Sequence, residues 1–363
     1  MSTKPLRILI VGAGAVGLFY GSRLHLPEDN ILVSLVCRSN YNAIKANGVK
    51  LLTHSFGEYT FHPENTFNSV QQAAELANIQ WDYVVVTTKA LPPTSTDDSE
   101  ANLVKPVVGK DTTIVLIQNG IGIEKPYTDV FPHNVLLSAV TVVSAEQIEQ
   151  GIVRQNRWTR ISIGPWGIGS ISHGRERNKL FCDILKKGGV KDAEEYDERG
   201  LQFVRWHKIA INASFNPSSV LSNGAANSDM AADPLLKTHI LGTMREILHL
   251  ATIVLQSPLP SKFATPEKII ESTLRNTRKN FDSNQQKSQK RPVKDDGESS
   301  RPSMWYDWAQ GRPMELEVIL GNVVREAERV RVDVPRVQSM YALLCMAQAR
   351  RDAERKRKTG ARL

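Results

Sequence analysis

The apolar positions of this chain change rhythm near residue 200. Before that point they form short unbroken runs, among them Arg7-Ile-Leu-Ile-Val11, Ile31-Leu-Val-Ser-Leu-Val36, Trp81 to Lys89 and Thr113 to Gly120. Continuous apolar runs of this length predict strands of a parallel sheet covered on both faces, and polar stretches between them leave room for crossover helices. Shorter runs at Leu136–Val143 and Ile161–Gly164 extend the sheet. Beyond residue 200 helical periodicity takes over, as in Leu235–Leu255 and Glu315–Val330. The predicted fold class is an α/β N-terminal Rossmann-type doubly wound sheet followed by an all-α C-terminal domain. The expected boundaries are 1–200, 201–348 and a basic tail over 349–363, with a disordered insertion over 279–301.

The first strand runs into Gly12-Ala13-Gly14-Ala15-Val16-Gly17 and then an apolar helix. In G-x-G-x-x-G after a strand, the first glycine permits the tight turn and the second lets backbone approach a pyrophosphate. The third lets the helix pack closely on the strand. Gly12 to Gly17 are therefore candidate dinucleotide ligands. The second strand ends in Cys37-Arg38-Ser39-Asn40. No carboxylate stands there to hold a ribose 2′-hydroxyl, and Arg38 offers a planar fork of donors to a 2′-phosphate, so the expected cofactor is NADP(H). Strands ending in Thr88-Lys89 and Gln118-Asn119-Gly120 put polar groups at the carboxyl edge of the sheet, where ligands lie in open α/β folds. Lys89 and Asn119 join the cofactor candidates.

At 363 residues the chain suggests two domains, and 41% hydrophobic with 23% charged residues describes a globular protein without a membrane span. Its start lacks a secretory h-region. Cys37, Cys182 and Cys345 are widely spaced and odd in number, which fits reduced thiols and gives no metal pattern. The net charge of +8 is concentrated in Lys279–Arg301 and in the Arg350–Lys358 run. The first reads as a disordered insertion and the second as a frayed, solvated helix end. Neither has interleaved aromatics or a recognisable nucleic-acid module, so no nucleic-acid partner is expected.

The stretch from Val204 to Pro217 places Lys208, Asn212 and Asn216 at i, i+4 and i+8, one face of a helix whose remainder is largely apolar. A partly buried lysine titrates below its usual range and can donate a proton to a ketone oxygen as hydride reaches the carbon. A surface lysine flanked by solvent-facing asparagines has the same spacing.

With Gly12–Gly17, Lys89-Ala90, Asn119-Gly120 and Lys208-x-x-x-Asn212-x-x-x-Asn216-Pro217 in this order, the chain resembles the ketopantoate reductase (2-dehydropantoate 2-reductase) family from its start to about residue 346. Ser303-Met304-x-x-Asp307 and Glu315-Leu316-Glu317-x-x-x-Gly321 resemble that family's substrate segment. The resemblance implies NADPH-dependent reduction of ketopantoate to pantoate, for pantothenate biosynthesis, at a site between the two domains. Lys208 would be the general acid and Glu315 would accept from the substrate hydroxyl and orient Lys208. Asn119, Asn212, Asn216 and Ser303 would surround the small 2-oxo acid. Read alone, Glu315 is better taken as a helix N-terminal carboxylate, while Ser303 is equally an N-cap and Asn119 turn chemistry.

Two departures bear on substrate. Leu91-Pro92-Pro93 stands where the family often carries a glutamine, and Trp305, Tyr306 and Trp308 surround the substrate serine. The alternatives are therefore a reductase of another 2-oxo acid or ketone, or a non-catalytic NADP-binding regulator. A homodimer is one assembly to test. The terminal Ala361-Arg362-Leu363 is similar to the peroxisomal address Ser-Lys-Leu, so a peroxisomal import receptor is a candidate partner and the peroxisome an alternative to the cytoplasm.

Overall fold

The computed structural model describes residues 4–76, 79–93, 99–167, 173–275 and 301–360. Almost all of the 279–301 insertion and the 361–363 tripeptide lie outside the described residues. The chain divides into two compact units, Met1–Val204 and Arg205–Leu363.

In the first unit the apolar runs form β1 (Leu6–Val11), β2 (Ile31–Val36), β6 (Tyr83–Val86), β7 (Thr113–Leu116) and β8 (Leu136–Thr141). Together with β5 (Thr66–Phe67), β11 (Ile161–Trp166) and β12 (Ala193–Glu195) they give one eight-stranded sheet in the order β12-β11-β8-β7-β6-β1-β2-β5. Pairing is parallel from β5 to β8, and β11 joins antiparallel to β8. The order reverses at β1 and β6, which opens a crevice at their carboxyl ends. The four residues of β6 and of β7 are all buried, as expected of strands covered on both faces. Helix α1 (Ala15–Leu24) lies on one face and helix α2 (Gly174–Lys187) adds Phe181, Cys182 and Leu185 to the same core.

Sequence periodicity missed a second sheet. The stretch after β2, read as polar connection, contains β3 (Val49–Thr53) and β4 (Gly57–Phe61), which pair with β10 (Ile152–Arg157) and β9 (Ser144–Glu149) in the order β4-β3-β10-β9. The reason is composition. In β9 four of the six residues are exposed, and β4 carries a single buried residue, so neither presents the apolar run of a covered strand.

The regular structure of the second unit is all helical among its described residues. Helix α3 (Glu198–Leu221) begins in the first unit and carries Lys208, Asn212 and Asn216. Helix α4 (Pro234–Val254) follows, then a helix over 266–275, α5 (Ser303–Ala309), a π-helical turn Glu317–Gly321, α6 (Asn322–Val330) and α7 (Pro335–Gly360). Among the described residues no helix is long and apolar enough to cross a membrane.

The Arg350–Lys358 run, read as a frayed, solvated helix end, is exposed for most of its length, and it forms part of an unbroken helix with some of its arginines engaged. Helix α7 continues without a break to Gly360. Arg351 is not a solvated end residue: its guanidinium lies 4.7 Å from the Trp308 ring centre and donates to the carbonyls of Trp308 and Arg312 at 3.3 and 3.1 Å. A charge run looks solvated in sequence because nothing local shows the carbonyls it will meet.

Candidate functional site

The glycine loop joins β1 to α1 and each glycine meets a different constraint. Gly12 has φ +114°, and a Cβ there would lie 2.8 Å from Thr88 N and 2.9 Å from Thr87 Oγ1. A Cβ on Gly17 would penetrate Gly12 O and Thr87 Oγ1, so only glycine lets α1 sit this close to the strand ends. At Gly14 a Cβ would meet nothing within 4 Å, so the protein's own packing does not require glycine there. What remains is an open backbone surface at the N-cap of α1, which has no side-chain cap. This cradle fits a pyrophosphate, whose charge the first N–H groups and the helix dipole favour.

The loop is held from two sides. Thr87 Oγ1 donates to Gly12 O at 2.6 Å, and the buried Asn40 donates to Ala13 O at 2.6 Å. Asn40 and Gln147 of β9 form a reciprocal amide pair, at 3.0 and 2.8 Å, which ties the second sheet to the glycine loop. Arg38 is exposed two residues before Asn40, at the end of β2, and no carboxylate follows that strand. The site thus fits a 2′-phosphate.

Lys89 and Asn119 follow the neighbouring strands β6 and β7, and both are half-buried. Gln118 cross-links these strand ends, donating to Thr88 O at 2.9 Å and to Glu100 Oε2 at 2.6 Å. Glu100 is a residue the sequence reading missed. Burial raises its carboxyl above the usual range, while hydrogen bonds from Thr88 and Gln118 and the charge of Arg38 pull the other way. A single Glu at a helix start in a polar stretch gave no signal.

In the second unit α3 brings Lys208, Asn212 and Asn216 onto one face, and Asn216 is buried. The Lys208 ammonium is pushed down to about 8, first by loss of solvation, then by the positive Arg205 one turn earlier, with Glu315 pulling it back up. Lys208 is half-buried, which argues against a solvent-facing lysine. Its neighbour reveals a second omission, because Arg205 is itself buried and had been passed over as part of an ordinary helix.

Glu315 is buried and lies just before the π turn, outside regular helix, with its carbonyl accepting from Ile319 N–H at 3.2 Å. Ser303 is the exposed first residue of α5, whose N-cap is Pro302. The start of α5 is fixed on the turn after α3. Arg301 donates to Gly224 O at 2.8 Å, and Gly224, at φ +92°, leaves the space that the Trp305 indole fills. The charge of Glu315 thus acts on Lys208, and the Ser303 segment is anchored at the turn after the same helix.

A doubly wound sheet with an open glycine loop after its first strand, joined to a helical unit carrying a half-buried lysine and a buried carboxylate, is the architecture of a nucleotide-dependent oxidoreductase. The sequence matches the family described as ketopantoate reductase PanE/ApbA over residues 8–167 and that described as ketopantoate reductase PanE/ApbA C terminal over residues 201–348. The crystal structure of 2-dehydropantoate 2-reductase from Methylococcus capsulatus is 31% identical, covers 95% of this chain and 98% of its own, and superposes with a TM-score of 0.75. A 2-dehydropantoate 2-reductase from Nostoc sp. is 24% identical over 92% of each chain. The uncharacterized protein YDL144C of Saccharomyces cerevisiae is 29% identical over 95% of this chain and 94% of its own. The chain belongs to the ketopantoate reductase family and is an NADP-dependent oxidoreductase acting on CH–OH groups, which sets aside the non-catalytic regulator.

Proposed function

We propose that this protein reduces 2-dehydropantoate to pantoate with NADPH, supplying pantothenate biosynthesis. The observation that carries the reading is the Lys208 amine, desolvated, flanked by Arg205 and Glu315, and held near pH 8 on the helix face of Asn212 and Asn216. Gly12, Ala13, Gly14, Ala15, Val16 and Gly17, with Arg38, Lys89 and Asn119, are the residues proposed to hold the cofactor. Bound NADPH supplies a hydride for the ketone carbon.

The residues of this chain supply the rest. At neutral pH an amine titrating near 8 is mostly protonated yet more acidic than an ordinary lysine, so Lys208 Nζ can give its proton to the carbonyl oxygen as charge develops there. Glu315 orients Lys208 and accepts from the substrate hydroxyl. Asn119, Asn212, Asn216 and Ser303 pair with the carboxylate and hydroxyl groups of the small acid, which an apolar pocket could not orient.

The aromatic cluster beside Ser303 raises a second substrate reading, a bulkier 2-oxo acid. Two of the three rings are engaged in packing, Trp305 on Gly224 and Trp308 on Arg351, while Tyr306 stays exposed. This favours the small substrate. A panel of 2-oxo acids assayed with NADPH and NADH tests the proposal, the expected result being highest kcat/KM for 2-dehydropantoate with NADPH. A higher kcat/KM for an aromatic 2-oxo acid would move the assignment to that substrate. The cytoplasm is the compartment proposed, and a fluorescent fusion with and without residues 361–363 separates it from import into peroxisomes.

A further inference from the structure

Helix α7 does more than close the fold. One stripe of its side chains, at 341, 348, 351 and 355, grips the segment that leads into and out of Glu315. Tyr341 donates to the Glu317 carboxylate two residues after Glu315. Gln348 Oε1 accepts from Met314 N–H, one residue before it, at 2.8 Å. Arg351 donates to the carbonyls of Arg312 and Trp308 and lies over the Trp308 ring. Arg355 donates to Gly311 O, and a Cβ on Gly311 would occupy the place of its guanidinium.

The spacing is that of one helix face, since residues seven apart are two turns apart and stand in line. Apart from the Glu317 carboxylate held by Tyr341 and the Trp308 carbonyl at the end of α5, their partners are backbone groups of the 310–315 segment, which has no regular structure of its own to satisfy them. The last turns of α7, with Arg351 and Arg355, lie past residue 348, where the family match ends. We propose that Gln348 and Arg351 are positioning residues, and that α7 acts as a splint holding Glu315 against Lys208. This rests on the reading of Glu315 and Lys208 as the proton-handling pair.

The experiment compares Gln348→Leu, Gln348→Glu, Arg351→Met and Glu315→Gln in the full chain, with 2-dehydropantoate and NADPH. Gln348→Leu removes the acceptor for Met314 N–H at nearly constant size, whereas Gln348→Glu keeps an acceptor oxygen. Expected for Gln348→Leu and Arg351→Met are roughly tenfold losses in kcat, the scale of a small misplacement at the reacting centre, with the NADPH dissociation constant unchanged. The alkaline limb of the kcat profile should move to lower pH, because a displaced Glu315 no longer raises the Lys208 pKa. Gln348→Glu should restore the parent kinetics. Parent values of kcat and pH profile in both Gln348→Leu and Arg351→Met, or equal damage in Gln348→Leu and Gln348→Glu, would overturn the splint while Glu315→Gln remains impaired. Parent kinetics in Glu315→Gln would instead overturn the reading of Glu315 itself. Two variants at separate grips keep the test decisive if one of them does not fold.

Discussion

In the first unit six consecutive residues, Gly12 to Gly17, form the proposed cofactor loop, and at Gly12 and Gly17 the surrounding atoms leave no room for a side chain. In the second unit the proposed residues Lys208, Ser303 and Glu315 come from three separate segments, with Arg205, Trp305 and Gln348 among the side chains around those segments. A site written in contiguous backbone requirements tolerates change in the surrounding sequence but not within the loop. A site assembled from distant side chains can be retuned at many positions, each with a smaller effect. With the proposed roles, the chain separates a fixed cofactor module from an adjustable proton-handling one.

The sharpest way to break this division is Lys208→Met. Loss of the general acid should lower kcat by about 10²- to 10⁴-fold while the NADPH dissociation constant stays put. The same variant should be more stable. The folded-state pKa near 8 lies below the roughly 10.4 of an unfolded lysine, so burying the ammonium opposes folding at neutral pH, by at most about 3 kcal/mol. In the parent, the unfolded chain binds more protons between those two values, and stability should rise with pH across that window. In Lys208→Met this rise should vanish. A melting temperature that falls in the variant, or a residual kcat within tenfold of the parent, counts against a desolvated catalytic lysine.

The glycine loop allows a contrast inside the first unit. Gly17→Ala forces a Cβ into Gly12 O and Thr87 Oγ1 and should cost a few kcal/mol of stability together with cofactor binding. Gly14→Ala adds a methyl to open space and should leave the melting temperature nearly unchanged, yet weaken NADPH by about tenfold or more because the methyl occupies the cradle. Thermal melting and fluorescence titration on the two variants check this. If Gly14→Ala binds NADPH like the parent, the cradle is not where the pyrophosphate rests.

These contrasts explain what the sequence revealed. The strands β1, β2, β6, β7 and β8 were legible because burial on both faces leaves unbroken apolar runs, and the glycine loop because its constraints are local. The β9–β10 hairpin was not, since its exposed residues give no such run, and with it went Gln147, whose pairing with Asn40 spans distant sequence. Lys208, Asn212 and Asn216 were visible as a helical face, but spacing could not say whether that face was wet. Arg205, Glu100 and Arg351 carried no signal, because each is an ordinary charged residue until its tertiary partner is known.

Arg38→Gln should produce a smaller, selective loss. Removing a charge-assisted pair with a 2′-phosphate costs roughly 1.5–3 kcal/mol, so preference for NADPH over NADH should fall by about ten- to a hundredfold with NADH kinetics unchanged. Equal weakening of both cofactors would show that Arg38 supports the loop and does not read the phosphate.

The subtlest prediction concerns the electrostatic setting of Lys208. Since Lys208 must be protonated to act, kcat in the parent should decline as pH rises through about 8. Arg205 lowers that pKa by repulsion and Glu315 raises it by attraction, so the two neutral variants should shift the alkaline limb in opposite directions. Arg205→Met should move it upward and Glu315→Gln downward, each by on the order of one pH unit. The opposed signs matter more than the sizes, because general loosening of the unit would hydrate the amine and move both limbs upward. A downward shift in Glu315→Gln paired with an upward shift in Arg205→Met can arise only if both charges act on Lys208 within the folded helical unit.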